Sequence, residues 1–349
     1  MEFLFDFGLF LAKAVIIVVA IVALFGMLMA LSSKKKSKKG DLEIIDLSKQ
    51  LEDTKKCLED ELLSDAELKS RHKAQKKEAK LKKSAMKKRA KKGDFDAPAA
   101  QLYVIDFKGS IDAKEVFSLR EEISAILSVA NEKDEVFVRL ESGGGMVHGY
   151  GLAASQLQRL KDNKIPLTIS VDKVAASGGY MMACIADKII AAPFAILGSI
   201  GVIAQIPNFN KVLKKHNIEF EQLTAGQYKR TLTMFGENDD LGRDKFKQEL
   251  QETHDLFKQF VSQHRPNLDI EKIATGEHWY GLQAIERDLI DKIQTSDDYL
   301  MSQLHKRHVV QIKYSKHKKM TEKFTHAASL ALENSLLKLM QLSIKNFIK

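Results

Sequence analysis

Leu167-Thr168-Ile169-Ser170-Val171-Asp172-Lys173-Val174-Ala175-Ala176-Ser177-Gly178-Gly179-Tyr180 is the stretch on which the reading of this chain turns. Its first five residues are rich in β-branched and apolar types, which predicts a strand. A few residues later a run of small side chains brings one hydroxyl, that of Ser177, onto a tight backbone. Upstream the same pattern repeats. Residues 102–107 predict a strand ending at Gly109, and residues 113–130 a helix on the recurrence of Val116, Leu119, Ile123, Ile126 and Leu127. Residues 136–140 predict another strand, and Gly143-Gly144-Gly145 then leads into a helix over 147–161. Strands alternating with helices predict right-handed crossovers and a mostly parallel sheet, hence an α/β fold.

Downstream, residues 239–264 predict a long amphipathic helix with Phe246, Leu250, Phe257 and Val261 on its apolar stripe and His254 on the same stripe. Residues 270–292 predict two shorter helices around a loop whose His278-Trp279-Tyr280 reads as packing rather than as a substrate or subunit contact. Residues 306–319 read as a basic segment. Residues 321–349 read as an amphipathic helix that packs on the domain or a partner subunit, with an interfacial membrane helix as the alternative.

Charge is unevenly spread. The chain of 349 residues carries a formal net charge of +9, yet residues 34–92 hold 21 Lys or Arg against 11 Asp or Glu. The high pI is therefore local and says little about the main domain's partner. Residues 69–92 read as a charged membrane-proximal spacer, or more sharply as a site for anionic lipid headgroups at about 1 kcal/mol per basic residue. The tract lacks interleaved aromatics, which argues against nucleic acid.

The N-terminus reads as an anchor. Residues 14–31, AVIIVVAIVALFGMLMAL, hold no charge, and only Lys13 interrupts the longer apolar span over 7–31. Twenty-odd residues at about 1.5 Å each match a hydrocarbon core of about 30 Å, which predicts an uncleaved transmembrane helix. Acidic Glu2 and Asp6 argue against a cleaved signal peptide. The flank Lys34-Lys35-Lys36-Ser37-Lys38-Lys39 places the following domain in the cytoplasm by the positive-inside rule, unless a second span exists. The candidate is residues 189–204, IIAAPFAILGSIGVIA, but that run is short and punctuated by Pro193, Gly198 and Gly201, so it predicts buried core. Residues 41–48 predict a short strand, and helical spacing begins at Leu51. The two cysteines, Cys57 and Cys184, build no disulfide, metal or redox motif.

The chemistry centres on Ser177 and Lys229. Lys229 lies 52 residues after the serine, in Ala225-Gly226-Gln227-Tyr228-Lys229-Arg230, and no histidine falls between Ser177 and His216. A serine hydroxyl needs a proton acceptor, and a neutral lysine serves where histidine is missing. Lysine ordinarily titrates near 10.4, so burial or adjacent positive charge must neutralise it. Tyr228 and Arg230 are placed to help. The bland alternative makes Ser177 a helix N-cap before a Gly-Gly turn. Gly178 and Gly179 also let backbone N–H groups converge on an oxyanion, and Gly143-Gly144-Gly145 follows a strand where amides can meet negative charge. Neither run is a Walker or dinucleotide motif. No His, Asp or Glu cluster has metal-ligand spacing, so no metal and no cofactor is expected.

Four segments carry a family resemblance. Ser142-Gly143-Gly144-Gly145, Ala176-Ser177-Gly178-Gly179-Tyr180, Gly198-Ser199-Ile200-Gly201-Val202 and Gly226-Gln227-Tyr228-Lys229 resemble, in order and spacing, the signal peptide peptidase A family, peptidase family S49. The likeness covers about residues 100–300 and is closest to the membrane-bound branch, supported by the anchor, the basic spacer and the string over 229–238. It implies a ClpP/crotonase-like fold and a Ser–Lys dyad endopeptidase acting on membrane-derived or signal-peptide-like peptides. By position, Ser177 is the nucleophile, Lys229 the general base and acid, and the N–H groups of Gly178 and Gly145 the oxyanion hole, with Gly144 the alternative to Gly145.

The resemblance further implies a homo-oligomeric ring, in which Lys229 serves its own subunit's serine or a neighbour's. It implies a bacterial inner-membrane location on the far side of the membrane from the one the basic flank indicates, so the face stays open. One departure is Gly143, where the family has proline. Position 202, where the ClpP branch would carry histidine, is Val202. The chain is then divided as anchor 1–33, basic spacer 34–97, peptidase domain 98–305, and basic segment with C-terminal helix 306–349. Asp172 or Ser199 is a candidate to orient Lys229, and His148 reads as a helix-surface residue. The rival readings are a crotonase-type acyl-thioester enzyme and a non-catalytic membrane scaffold.

Overall fold

Parallel strands covered on both faces must be apolar along nearly their whole length, and Leu167–Val171 is buried at every position. It belongs to a computed structural model that describes residues 40–64, 100–304 and 306–316, with some of residues 67–84. The proposed anchor, the basic flank over 34–39, residues 85–97 of the spacer and the C-terminal helix over 321–349 lie outside the described residues. Among the described residues no helix is long and apolar enough to cross a membrane.

In chain order the elements are β1 (Asp41–Asp46), α1 (Leu47–Leu62), β2 (Gln101–Lys108), α2 (Val116–Leu127), β3 (Glu135–Glu141), α3 (Val147–Asp162), β4 (Leu167–Val171) and β5 (Val174–Ala176). There follow α4 (Gly178–Ala183), β6 (Lys188–Ala191), β7 (Ile196–Gly198), α5 (Asn210–Lys215), α6 (Asp240–His264), α7 (Ile270–Ile273) and β8 (His278–Tyr280). The last are α8 (Gly281–Ala284), β9 (Lys292–Ile293), α9 (Ser296–Gln303) and β10 (His308–Ser315). The main sheet has seven strands in the order β1-β10-β2-β3-β4-β6-β9, and the pairs from β10 through β9 are parallel. A small sheet, β5-β7-β8, stands beside it and is joined to it by a bridge between Ser142 and Ala175. The mostly parallel α/β sheet expected from the sequence is the one found.

Period-two alternation divides the strand side chains between two cores. Tyr103, Ile105 and Phe107 of β2 pack in the cluster that holds Leu119 and Ile123 of α2 and Leu157 of α3. Leu102 and Val104 pack with Phe137, Tyr299 and Leu300 on the α9 side. Glu135 ties this second core together, accepting hydrogen bonds from Thr168 Oγ1 (2.8 Å), the Tyr299 hydroxyl and Arg307 (2.7 Å).

Three sequence expectations need amending. The run over 189–204 is buried core, as expected, only as far as Ile200: Ile189, Ile190, Leu197 and Ile200 are fully buried around β6 and β7, but Ile203 is 78 % exposed. His278-Trp279-Tyr280 is a strand rather than a loop, antiparallel to β7, because pairing there lets Trp279 be buried while His278 and Tyr280 stay out. The basic segment after residue 306 contains β10, which lies inside the sheet against β2. Its alternation is masked by flanking lysines and histidines.

Glu122 of α2 gives the fold a measurable pH dependence. Its carboxylate is 5 % exposed and accepts the Tyr314 N–H at 2.8 Å. Burial pushes it from the ordinary 4.5 up to about 7; the Tyr314 hydrogen bond and Lys313 oppose the rise and Asp106 adds to it. With the folded value raised, the native state holds a proton that the unfolded chain releases. Stability therefore falls as pH rises from about 4.5 to 7 and levels off above. Glu122→Gln removes the ionisation and is expected to be more stable than wild type at pH 8 by up to about 3 kcal/mol. The difference should vanish near pH 4.5, as read from urea midpoints; equal midpoints at both pH values would contradict it.

Candidate active site

Parallel α/β sheets gather ligands beyond the carboxyl ends of their strands. Two turns meet there. One joins β3 to α3 through Ser142-Gly143-Gly144-Gly145, and the other joins β5 to α4 at Ser177. Ser177 has φ 52° and ψ −120°, a conformation that L-residues avoid and that persists only where the surroundings hold it. Its N–H donates to Gly198 O at 2.8 Å. The bland N-cap reading fails, because Ser177 occupies the cap position of α4 yet its hydroxyl makes no capping bond. It faces instead a cleft of ≈ 700 Å³ lined also by Gly143, Gly144, Gly145 and Ser199.

The glycine turn is pinned from behind. Gly144 N–H donates to Ser142 Oγ at 3.1 Å, Ser142 Oγ lies 2.5 Å from the Tyr150 hydroxyl, and that hydroxyl donates to Ser110 O at 2.9 Å. With its proton spent on Ser110, the tyrosine oxygen accepts from Ser142. Burial pushes the Tyr150 phenol up, keeping it a donor. Gly144 sits at φ +87°, and a Cβ there would lie 2.7 Å from Gly178 N. A side chain on Gly178 would run into the Tyr150 ring. The two turns therefore approach as closely as backbones can.

This geometry separates the oxyanion candidates. Gly144 N–H is already committed to Ser142. Among the described residues, Gly145 N–H and Gly178 N–H have no backbone or side-chain acceptor, the latter being in the first turn of a helix, where N–H groups lack intrahelical partners. Tyr150 and Ser110 were missed from sequence. The signal was slight: a tyrosine facing inward one turn into α3.

Lys229 stands elsewhere in the single chain. It is exposed and lines a separate cavity of ≈ 800 Å³ together with Arg230, Phe220, Leu223, Met234 and Phe235. Tyr228 does not line that cavity and is 48 % exposed. The lysine that does line the Ser177 cleft is Lys247 of α6, ion-paired with Asp244 at 3.5 Å. Of the two residues considered for orienting Lys229, Ser199 faces the Ser177 cleft, whereas the Asp172 carboxylate accepts from Ser296 N (2.8 Å) and Ser296 Oγ (2.5 Å). His148 is exposed on α3.

Lys229 is carried on an arm over residues 202–239 in which no residue is buried. The arm has its own order: Asn208 Nδ2 donates to Thr233 O (2.9 Å), Asn210 Nδ2 to Phe235 O (2.8 Å), and Phe235 meets the rings of Phe209 and Phe220. Yet Ile203 is 78 % exposed and Leu223 88 %.

Comparison with known proteins agrees with the motifs. Residues 2–157 match the model for the peptidase family S49 N-terminal region and residues 159–310 that for peptidase family S49. The chain is 52 % identical over 329 residues to a protein of Haemophilus influenzae named "Probable protease SohB", covering 94 % of this chain and 93 % of that one. It is 50 % identical over 306 residues to the "Probable protease SohB" of Buchnera aphidicola subsp. Schlechtendalia chinensis, covering 86 % of this chain and 100 % of the relative. A third protein of that name, from Buchnera aphidicola subsp. Acyrthosiphon pisum, is 59 % identical over 239 residues, which is 68 % of this chain and 71 % of the relative.

Proposed function

Because the chain belongs to peptidase family S49 and is a peptidase by that membership, we propose that it is a membrane-anchored serine endopeptidase working through a Ser177–Lys229 dyad. The substrates would be membrane-derived or signal-peptide-like polypeptides. The observation that carries the reading is Ser177 itself: a strained residue whose hydroxyl caps nothing and faces an open cleft beside two N–H groups without acceptors.

Each step then has an owner. Ser177 Oγ attacks the peptide carbonyl as neutral Lys229 Nζ takes its proton. The Gly145 and Gly178 N–H groups hold the oxyanion of the tetrahedral intermediate. Its collapse breaks the C–N bond, and the proton on Lys229 goes to the leaving amine. Water, deprotonated by Lys229, hydrolyses the acyl-enzyme and frees Ser177.

Of the two arrangements open for Lys229, the reading adopts the neighbour's serine. Lysine acts as a base only where covered from water or placed near positive charge, and Lys229 is exposed, away from the Ser177 cleft. A second copy covering the apolar arm would desolvate it and complete the site. The anchor over residues 7–31 would hold this assembly at the bilayer.

An activated serine probe such as a fluorophosphonate tests the reaction class. Wild type should label at Ser177 and Ser177→Ala should not, by mass spectrometry of the labelled peptide. An unlabelled Ser177 in the assembled protein would favour a scaffold or a thioester enzyme instead.

A further inference from the structure

The turn behind the nucleophile, Gly198-Ser199-Ile200-Gly201, is as strained as the nucleophile. The strain sits on Ser199, at φ 51°; Gly198 before it is at φ 96°, which glycine adopts freely. Such backbone stays in place only when several ties over-determine it. Two ties are backbone bonds: Ser177 N–H to Gly198 O at 2.8 Å, and Ser199 N–H to Glu277 O at 2.6 Å. The third comes from a side chain. His254 Nε2 lies 3.2 Å from Ile200 O. A carbonyl only accepts, so the ring nitrogen carries the hydrogen and donates. Ile200 is fully buried, and among the described residues its carbonyl accepts no backbone hydrogen bond.

His254 stands where two mechanical parts meet. On α6 the stripe Leu250, His254, Phe257, Val261 runs along one face, and Phe257 and Val261 are buried in the main core. Before His254, no residue of α6 is buried. Leu250 and His254 also line the Ser177 cleft. The arm bearing Lys229 leaves the body from the 198–201 turn and returns into the start of α6. None of the fourteen α6 residues before His254 is buried, so they continue the arm, and the His254–Ile200 bond joins the two ends of that unburied stretch behind the serine. An apolar residue would satisfy the stripe, and an imidazole is needed only for the donor.

We propose that His254 is a positioning residue of this site: by donating to Ile200 O it clamps α6 to the turn behind Ser177 and sets the root of the Lys229 arm. In this role it acts through Ile200 O rather than on the reacting atoms, and the proposal rests on the dyad reading above. Loss of the donor leaves a buried carbonyl unpaired and frees the turn.

The test compares His254→Leu and His254→Gln with wild type in the full chain, assembled in detergent, on a fluorogenic signal-peptide-derived substrate. Leucine fits the apolar stripe and lacks the donor; the glutamine amide can donate to the same carbonyl. His254→Leu is expected to lower kcat by about 10- to 100-fold with KM within about threefold, the pattern of lost alignment rather than lost binding. His254→Gln should recover most of the rate. Wild-type kcat in His254→Leu would overturn the proposal. If His254→Leu does not fold, the glutamine variant decides alone: near-wild-type kcat supports the clamp, and a folded but slow variant overturns it. Ser177→Ala is assayed alongside. Activity there sinks the dyad reading and the clamp with it, whereas an inactive Ser177→Ala beside an unimpaired His254→Leu sinks the clamp only.

Discussion

Ser177→Ala should lower kcat for peptide hydrolysis by about 10⁴-fold or more while leaving the fold intact. The kinetic effect is large because in the proposed mechanism the hydroxyl forms the acyl bond, and no other group there can replace it. The structural effect is small because that hydroxyl makes no capping bond and the residue is only half-buried. Alanine at φ 52° carries the same backbone strain as serine, so the unfolding midpoint should shift by no more than about 0.5 kcal/mol equivalent. Hydrolysis of a signal-peptide-derived substrate, measured with thermal unfolding in parallel, checks both halves. Retained activity would remove Ser177 from the chemistry.

Lys229→Ala should cost about 10²- to 10⁴-fold in kcat, the range of a lost general base. Lys229→Arg should be no better, since a guanidinium keeps its proton in proteins. Both variants should fold as wild type, because the side chain is exposed in the single chain and lies on an arm without buried residues. Lys247→Ala supplies the contrast. Lys247 lines the Ser177 cleft but is held by Asp244 in a surface ion pair, so its loss should change KM a few-fold and leave kcat standing. A fall in kcat for Lys247→Ala with none for Lys229→Ala would exchange the two lysines' roles.

Much of this was legible in the residue order. β4 and the run over 189–204 were readable because continuous apolar stretches with β-branched residues leave little choice of environment. The long helix over 239–264 was readable from its stripe, and the structure gives it as α6 (Asp240–His264). β8 was not, since three residues are too few to show a period. β10 was hidden because its partner, β2, lies some two hundred residues away and its neighbours are charged. At the site, spacing could point to Ser177 and the two glycine turns, whose partners are nearby in the chain. It could not show that Gly144 N–H is already used by Ser142, nor that His254 reaches Ile200 rather than merely packing. Those facts depend on directions of single bonds. The place of Lys229 relative to Ser177 was beyond sequence for a different reason: no residue of its arm is buried, so no core contact within the chain fixes where the arm lies.

The most direct test of the account is subunit complementation. Ser177→Ala and Lys229→Ala variants would be dissociated, mixed in equal amounts and reassembled, and hydrolysis compared with each variant alone. With the dyad shared between copies, a Lys229→Ala subunit keeps its serine and a neighbouring Ser177→Ala subunit supplies the lysine. About a quarter of the sites in a random mixture are then complete, and that fraction of wild-type activity should return from two inactive proteins. A mixture that co-assembles yet stays at background would contradict the shared site and place the serine and its base in one chain.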